Sequence, residues 1–172
     1  MLKELWILVK LLFATRPSDY LFRDLEVITM QHFPFKGKRF MSWCGKIVAR
    51  EEKTPVIERF LQTFAGAKAK NHEGGHVVQA ITCHGDNWAR YYLDYLWHWI
   101  KHCPWVSPGH AAYYLNRYEC ECYAKEDDFT YFDLDNYSRT NLRTKYRIKH
   151  AKKLYRQLGS TPAAWKAYVK TL

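Results

Sequence analysis

Apolar residues along this chain recur at helical spacing far more often than in alternation. Leu5, Trp6, Val9, Leu12 and Phe13 form one such stripe, which stops ahead of Pro17. A weaker helix is expected over residues 19–31, before the breaker-rich Phe33-Pro34-Phe35-Lys36-Gly37. One β-unit stands out: Phe40–Trp43 and Lys46–Arg50 flank Cys44-Gly45, the composition of a short hairpin. Thr54-Pro55 supplies a cap and a proline at the first helical position, opening a helix through Phe64. Helices follow over residues 71–83, closed by Gly85, and over Trp88–His102, capped by Asp86 or Asn87 and ended by Pro104. Ser107-Pro108 repeats the cap-plus-proline signature and opens a segment that carries Tyr113 through Glu126. A basic helix over about Thr140–Leu158 presents Ala151, Leu154, Tyr155 and Leu158 on one stripe, and Thr161-Pro162 starts a short last helix. The expected fold is mainly α (α+β), a compact helical domain with one small β-hairpin ahead of helix 71–83.

No repeat or linker divides the 172 residues, so a single domain over 1–172 is expected. An apolar fraction of 48% excludes a disordered polymer. Leu5–Ala14 is interrupted by Lys10, is shorter than a spanning helix needs, and lacks a cleavage site, so neither a membrane span nor a signal peptide is expected there. The net charge of +10 is unevenly placed. Residues 1–137 carry 17 basic and 17 acidic side chains, while the last 35 carry ten basic and no acidic ones. Any argument about polyanions therefore concerns residues 139–172, expected to form basic helices packed on or beside the rest. An acidic stretch just upstream, from Glu119 to Asp135, is the bland partner for that charge. Five cysteines cannot all pair within one chain, and reduced thiols in a cytoplasmic setting are the expectation. Cys120-x-Cys122 lacks a common zinc-pair spacing and reads as buried small side chains.

His72-Glu73-Gly74-Gly75-His76 carries the chemistry. On a helix, residues four apart differ by about 40°, so both imidazoles project from one face and can share one ion. Glu73 lies about 100° round, able to take a proton from an activated water without being a ligand. Zinc needs a third protein ligand, and a glutamate-bearing segment, Asn116 to Glu126, lies downstream. Glu119 and Glu121 point about 200° apart on a helix, so they cannot both face one ion. Each is followed three residues later by a small residue, Cys122 or Ala124, and the pattern alone leaves the choice open. Gly74 and Gly75 cost roughly 1 kcal/mol each relative to Ala inside a helix, which suggests close approach of another backbone.

An HExxH followed by a Glu-x-Glu helix resembles the gluzincin type of zinc metallopeptidase. The chain is most similar to small bacterial proteins with an HExxHxxQ helix and a later Phe-Glu-Arg-Glu-Ala-Tyr-like segment. The matching residues are His72, Glu73, His76 and Gln79, then Ala112, Tyr113, Tyr118, Glu119, Glu121 and Tyr123. Phe33-Pro34-Phe35-Lys36-Gly37, Met41 and Thr54-Pro55 match upstream elements, so the metallopeptidase-like core would span residues 33–135. The stretch from Thr54-Pro55 to His72 is longer than the family's, and Cys122 stands where alanine is usual. The resemblance implies Zn²⁺ held by His72, His76 and a glutamate, with Glu73 as the catalytic base. It favours Glu119 as the ligand and leaves Glu121 to orient a histidine or Arg117. It also implies a donor for the oxyanion, for which Tyr113, Tyr114, His110 and Arg139 are unranked candidates. The hairpin could offer an edge strand to an extended peptide, so a peptide or protein substrate is expected.

Three features compete for attention. His98 and His102, with Cys83, His84 and Cys103 near in sequence, offer a weaker metal pattern read as ordinary histidines. The aromatic helix 88–102 is apolar on nearly every side, which suits a core first and a membrane surface or protein partner second. Arg143, Lys145, Arg147, Lys149, Lys152, Lys153 and Arg156, interleaved with tyrosines, could track a phosphate backbone, although a solvated face is the commoner meaning. The alternatives to hydrolysis are thus a catalytically silent binding or assembly module, or a binder of nucleic acid or anionic membrane.

Overall fold

A computed structural model describes Trp6, Val9 and residues 27–30, 40–50, 59–102 and 110–172. Of the helix expected to open at Thr54-Pro55 and run through Phe64, only the end is described: residues 59–61 are helical, but the chain leaves the helix at 62–63, where Thr63 is extended, and a new helix starts at Phe64. The start of the expected helix, the Ser107-Pro108 signature, the Phe33–Gly37 element and most of the first helical stripe lie outside the described residues. Trp6 and Val9 are helical.

The hairpin forms over the expected residues. β2 (Phe40–Trp43) and β3 (Lys46–Arg50) pair antiparallel, Phe40 opposite Ala49 and Trp43 opposite Lys46. Cys44 and Gly45 both have positive φ, 48° and 76°, the twist that a two-residue turn between paired strands requires. The Cys44 N–H donates to the Tyr92 hydroxyl at 2.9 Å, fixing the turn to a later helix. Residues 19–31 were expected to be helical, but Val27–Met30 is a strand, β1, paired parallel to β3 with Val27 opposite Ile47. The β-branched Val27-Ile28-Thr29 fits a pleated surface, and the order β1-β3-β2 places β3 at the centre, where Ile47, Val48 and Ala49 are buried.

Helix α1 (Phe64–His84) runs further upstream than expected because Thr63 caps it, its hydroxyl accepting from the Gly66 N–H at 3.1 Å. Gly85, at φ 60°, closes it in the left-handed conformation. Asn87 caps α2 (Trp88–Ile100) by accepting from the Arg90 N–H. Trp88 and Tyr91 are buried, yet Leu93, Trp97 and Ile100 face outward, so α2 is two-sided and not apolar-packed all round.

The segment Tyr113–Glu126 is two helices, α3 (His110–Leu115) and α4 (Arg117–Lys125), divided at Asn116, whose side chain accepts from the Tyr118 N–H and restarts the chain. The basic helix is likewise broken. α5 (Arg139–Thr144) and α6 (Ala151–Leu158) are separated by a stretch in which Tyr146 is buried and His150 adopts φ 58°, which no continuous helix allows. α7 (Pro162–Val169) starts at the expected proline and packs on α3 and α4, with Trp165 among Ala111, Tyr114 and Leu115. The architecture is mainly helical with a small three-stranded sheet. No helix among the described residues is long and apolar enough to cross a membrane.

Candidate metal centre

His72 and His76 project from one face of α1, their ring centroids 5.1 Å apart and their planes crossed at 84°. Glu119 of α4 reaches both, with Oε2 at 3.3 Å from His72 Nε2 and Oε1 at 3.4 Å from His76 Nε2. Donor atoms of the three residues lie within 4.8 Å of one another, and all three side chains are buried. This buried His/His/Glu group can hold a metal ion. Glu119 Oε2 and His72 Nδ1 are buried without a hydrogen-bond partner among the described residues, and the Oε2 vacancy suits a carboxylate that has a cation to meet. Burial opposes ionisation of Glu119, but the His76 and His72 imidazoles outweigh it and hold the carboxyl well below its usual range.

Two asparagines that sequence patterns did not single out set α4 in place. Asn71, next to His72, donates through Nδ2 to the carbonyls of Lys125, Glu126 and Asp128 at 3.0–3.2 Å, gathering the end of α4. Asn116 caps the start of α4 and donates to the Tyr95 carbonyl at 3.1 Å, tying it to α2. Between these fixings the helices meet closely. A Cβ at Gly75 would lie 2.7 Å from Phe132 Cζ and 2.9 Å from Cys122 Sγ. The close neighbours that require this glycine are side chains and not the backbone that composition suggested.

Hydrogen bonds settle which nitrogen of His76 would face an ion. Gln79 Nε2 donates to the Tyr118 carbonyl at 3.1 Å and to Glu121 Oε2 at 2.8 Å. Neither acceptor can donate in return, so the amide oxygen must face His76, where it lies 3.0 Å from Nδ1. Nδ1 therefore carries a proton in every state of the ring, and Nε2, which faces Glu119, is the atom that would meet an ion on giving up its own proton. Glu121 faces away from the group, accepting from Tyr131, Tyr137 and Gln79, and reaches His76 only through that amide. Cys122 Sγ sits 3.5 Å from His76 Nδ1, but burial pushes its thiol up to about 12, so it is a neutral neighbour and no thiolate ligand at pH 7. Cys44, Cys83, Cys120 and Cys122 are all free thiols; Cys103 lies outside the described residues.

A cavity of about 600 Å³ opens beside the group. Glu73, His76 and Glu119 form its polar end. β2 from Phe40 to Trp43, with Tyr91, Tyr92, Tyr95, Leu96 and Trp99 of α2, forms its apolar walls. Tyr113 lines it too, bonded to Glu119, and burial first and then Glu119 keep its phenol protonated. Tyr95, unforeseen from sequence, donates to Glu119 Oε1 at 2.6 Å; its i, i+4 spacing from Tyr91 was the available signal. Two other oxyanion candidates stand elsewhere. Tyr114 packs against Tyr123 and Trp165, and Arg139 is exposed at the start of α5. His110 opens α3, and its side chain lies outside the description.

The seven basic residues from Arg143 to Arg156 are exposed, but the break between α5 and α6 spreads them over three segments instead of one helical face. The acidic stretch is met by α7: Lys166 and Lys170 each lie 3.0 Å from Glu126 Oε1, and Lys170 and Lys68 pair with Asp127. His84 and His98 approach Asp94 and converge on no second metal group among the described residues. No family model matches the chain, and comparison with curated proteins and with solved structures finds no match either.

Proposed function

We propose that the chain is a zinc-dependent hydrolase of peptide bonds, of the gluzincin type. The observation that carries this reading is the convergence of His72, His76 and Glu119, the last two of which line an aromatic cavity together with Glu73. Two neutral imidazoles and one carboxylate are the donor set of a catalytic zinc site. When bound, the ion would act as a Lewis acid on the scissile carbonyl and acidify the attacking water. Glu73 takes the proton from that water and later returns it to the leaving amine. Tyr113, protonated and on the cavity wall, is the donor that would turn its hydroxyl from Glu119 to meet the oxyanion. β2, at an edge of the sheet and along the cavity, can align an extended substrate while the aromatic walls receive an apolar side chain.

The test separates metal from chemistry. Wild type should carry about one zinc per chain, lost in the His72→Ala/His76→Ala double variant; full occupancy in that variant rules the site out. Glu73→Gln should keep the zinc and lose cleavage by about 10²–10⁴-fold, the range of a positioned acid–base group. Undiminished cleavage by Glu73→Gln removes that residue from the mechanism. Zinc binding without cleavage of any member of a diverse peptide library would instead favour a silent module.

A further inference from the structure

A second cavity, of about 440 Å³, is lined by Cys83, His84, Asp94, Arg117, Leu142 and Arg143. Tyr118 touches residues of both cavities. Its ring packs on Tyr91 and Tyr95, which line the first cavity, and its hydroxyl donates to Asp94 in the second. The proposed hydrolysis uses nothing in this second cavity.

Its charge is lopsided. Asp94 is the one carboxylate among the lining residues, and Arg117 and Tyr118 both donate to it already. Arg117 is thereby held at the wall, and its Nε has no partner among the described residues. Arg143 lines the same cavity, is exposed, and makes no ion pair among the described residues. Arg90 and Arg139 lie near enough for their charges to act on the wall residues His84 and Cys83. Two guanidinium groups, Arg117 and Arg143, therefore line a space with a single, already engaged carboxylate, while Arg90 and Arg139 add positive charge from beyond the lining and Glu121 opposes them at Cys83. The lining histidine reflects the same field: burial first, then Arg117, Arg143 and Arg90, keep His84 below its ordinary range against the pull of Asp94. Two of these arginines, Arg139 and Arg143, come from the basic C-terminal segment, which the fold returns to the junction of α1, α2 and α4.

We propose that this cavity is a binding site for a phosphate group, gripped by the exposed Arg143 and the anchored Arg117. A phosphate group brings about one to two negative charges at neutral pH to a lining in which two guanidinium groups face one carboxylate that is already engaged. The planar guanidinium fork matches its oxygens in pairs, which a lysine cluster would not do. The group could come from a small phosphate ester or from the phosphodiester backbone of a nucleic acid, and the experiment tells these apart. The site stands independently of the zinc reading.

Inorganic pyrophosphate titrated into the full chain at low ionic strength, followed by calorimetry, should bind saturably. Arg143→Gln, at an exposed position with no ion pair among the described residues, should leave the melting temperature unchanged and weaken binding about tenfold or more, as loss of a charge-assisted bond does. Lys153→Gln, on the same basic segment but outside the cavity, should bind as wild type does. Absence of saturable binding would overturn the proposal, as would an equal loss in the two variants, since diffuse charge and no cavity would then be responsible. A short single-stranded oligonucleotide that binds wild type, is displaced by pyrophosphate and weakens with Arg143→Gln identifies the backbone as the source. Pyrophosphate binding without oligonucleotide binding assigns the site to a small ester.

Discussion

Adding one methyl group at Gly75 should damage both the fold and the metal centre. On propensity alone, Gly75→Ala in the interior of α1 would stabilise the chain by about 1 kcal/mol. The new Cβ, however, would sit 2.7 and 2.8 Å from two ring carbons of Phe132 and 2.9 Å from Cys122 Sγ. Comfortable separations are about 3.5–4.0 Å, so the neighbours must retreat by roughly 1 Å. They have little room, because Phe132 and Cys122 are buried together with Val78 and Tyr137. Overpacking of this kind costs about 1–3 kcal/mol, which outweighs or cancels the propensity gain and leaves a net loss of about 0–2 kcal/mol. Cys122 stands one turn after Glu119, so its displacement also carries the ligand away from the imidazoles. Urea unfolding of the metal-free protein reads the first effect, and zinc competition against a chromophoric chelator reads the second, expected as a loss of about tenfold or more. Phe132→Leu in the same chain should recover part of both. A Gly75→Ala protein more stable than wild type by the full propensity gain, with unchanged zinc affinity, would refute the close approach of α4.

Three other perturbations follow from the same contacts. Glu119→Ala should weaken zinc binding more than Glu121→Ala, and Gln79→Leu should cost about 10–100-fold, as loss of a ligand's orienting partner does; the reverse order, read by chelator competition, would move the ligand to Glu121. Asn71→Ala removes the donor to three carbonyls and should destabilise the fold by about 1–3 kcal/mol in urea titrations; a change below about 0.5 kcal/mol would show that the end of α4 is held by other means. His98 and His102 titrate at about 4 in the fold, chiefly through burial, against 6.5 for an ordinary imidazole. Between those values the unfolded chain takes up more protons, so stability should fall as pH drops through that window and be unaffected by these groups above it. The His98→Gln/His102→Gln pair should flatten that acid limb, and an unchanged pH profile would refute the assignment.

Local signals carried the helices α1, α2 and α7, the hairpin, and the histidines of the metal group, because caps, prolines and i, i+4 spacing act over a single turn. Non-local partners decided what those signals missed. β1 is four residues long and pairs parallel to a strand some twenty residues on, so nothing in Val27–Met30 marks its neighbour. Residues 145–150 hold neither Pro nor Gly and look like continuing helix. The break comes with the burial of Tyr146 beside Cys120 and Val169, a contact that exists only once α4 and α7 are assembled. Asn71 and Asn116 look like ordinary polar residues until the ends of α4 lie beside them. Spacing reduced the third ligand to two candidates, and the facing of α4 toward α1 separates them.

That facing has a mechanical consequence. Glu119 and Glu121 leave α4 on opposite sides, one toward the imidazole Nε2 atoms and the other toward Gln79, Tyr131 and Tyr137. Glu121 holds Gln79, Gln79 fixes the proton on His76 Nδ1, and that proton leaves Nε2 free to bind. One short helix thus supplies a donor directly and prepares a second donor on α1 through an amide. A rotation of α4 that withdrew Glu119 would carry Glu121 off Gln79 as well, releasing the ring of His76 along with the carboxylate. The donors are therefore coupled, and the group should assemble and fail as a unit instead of losing its ligands one at a time. Asn71 and Asn116 fix the two ends of that helix, which makes these uncharged residues, distant from any proton transfer, determinants of whether the centre exists.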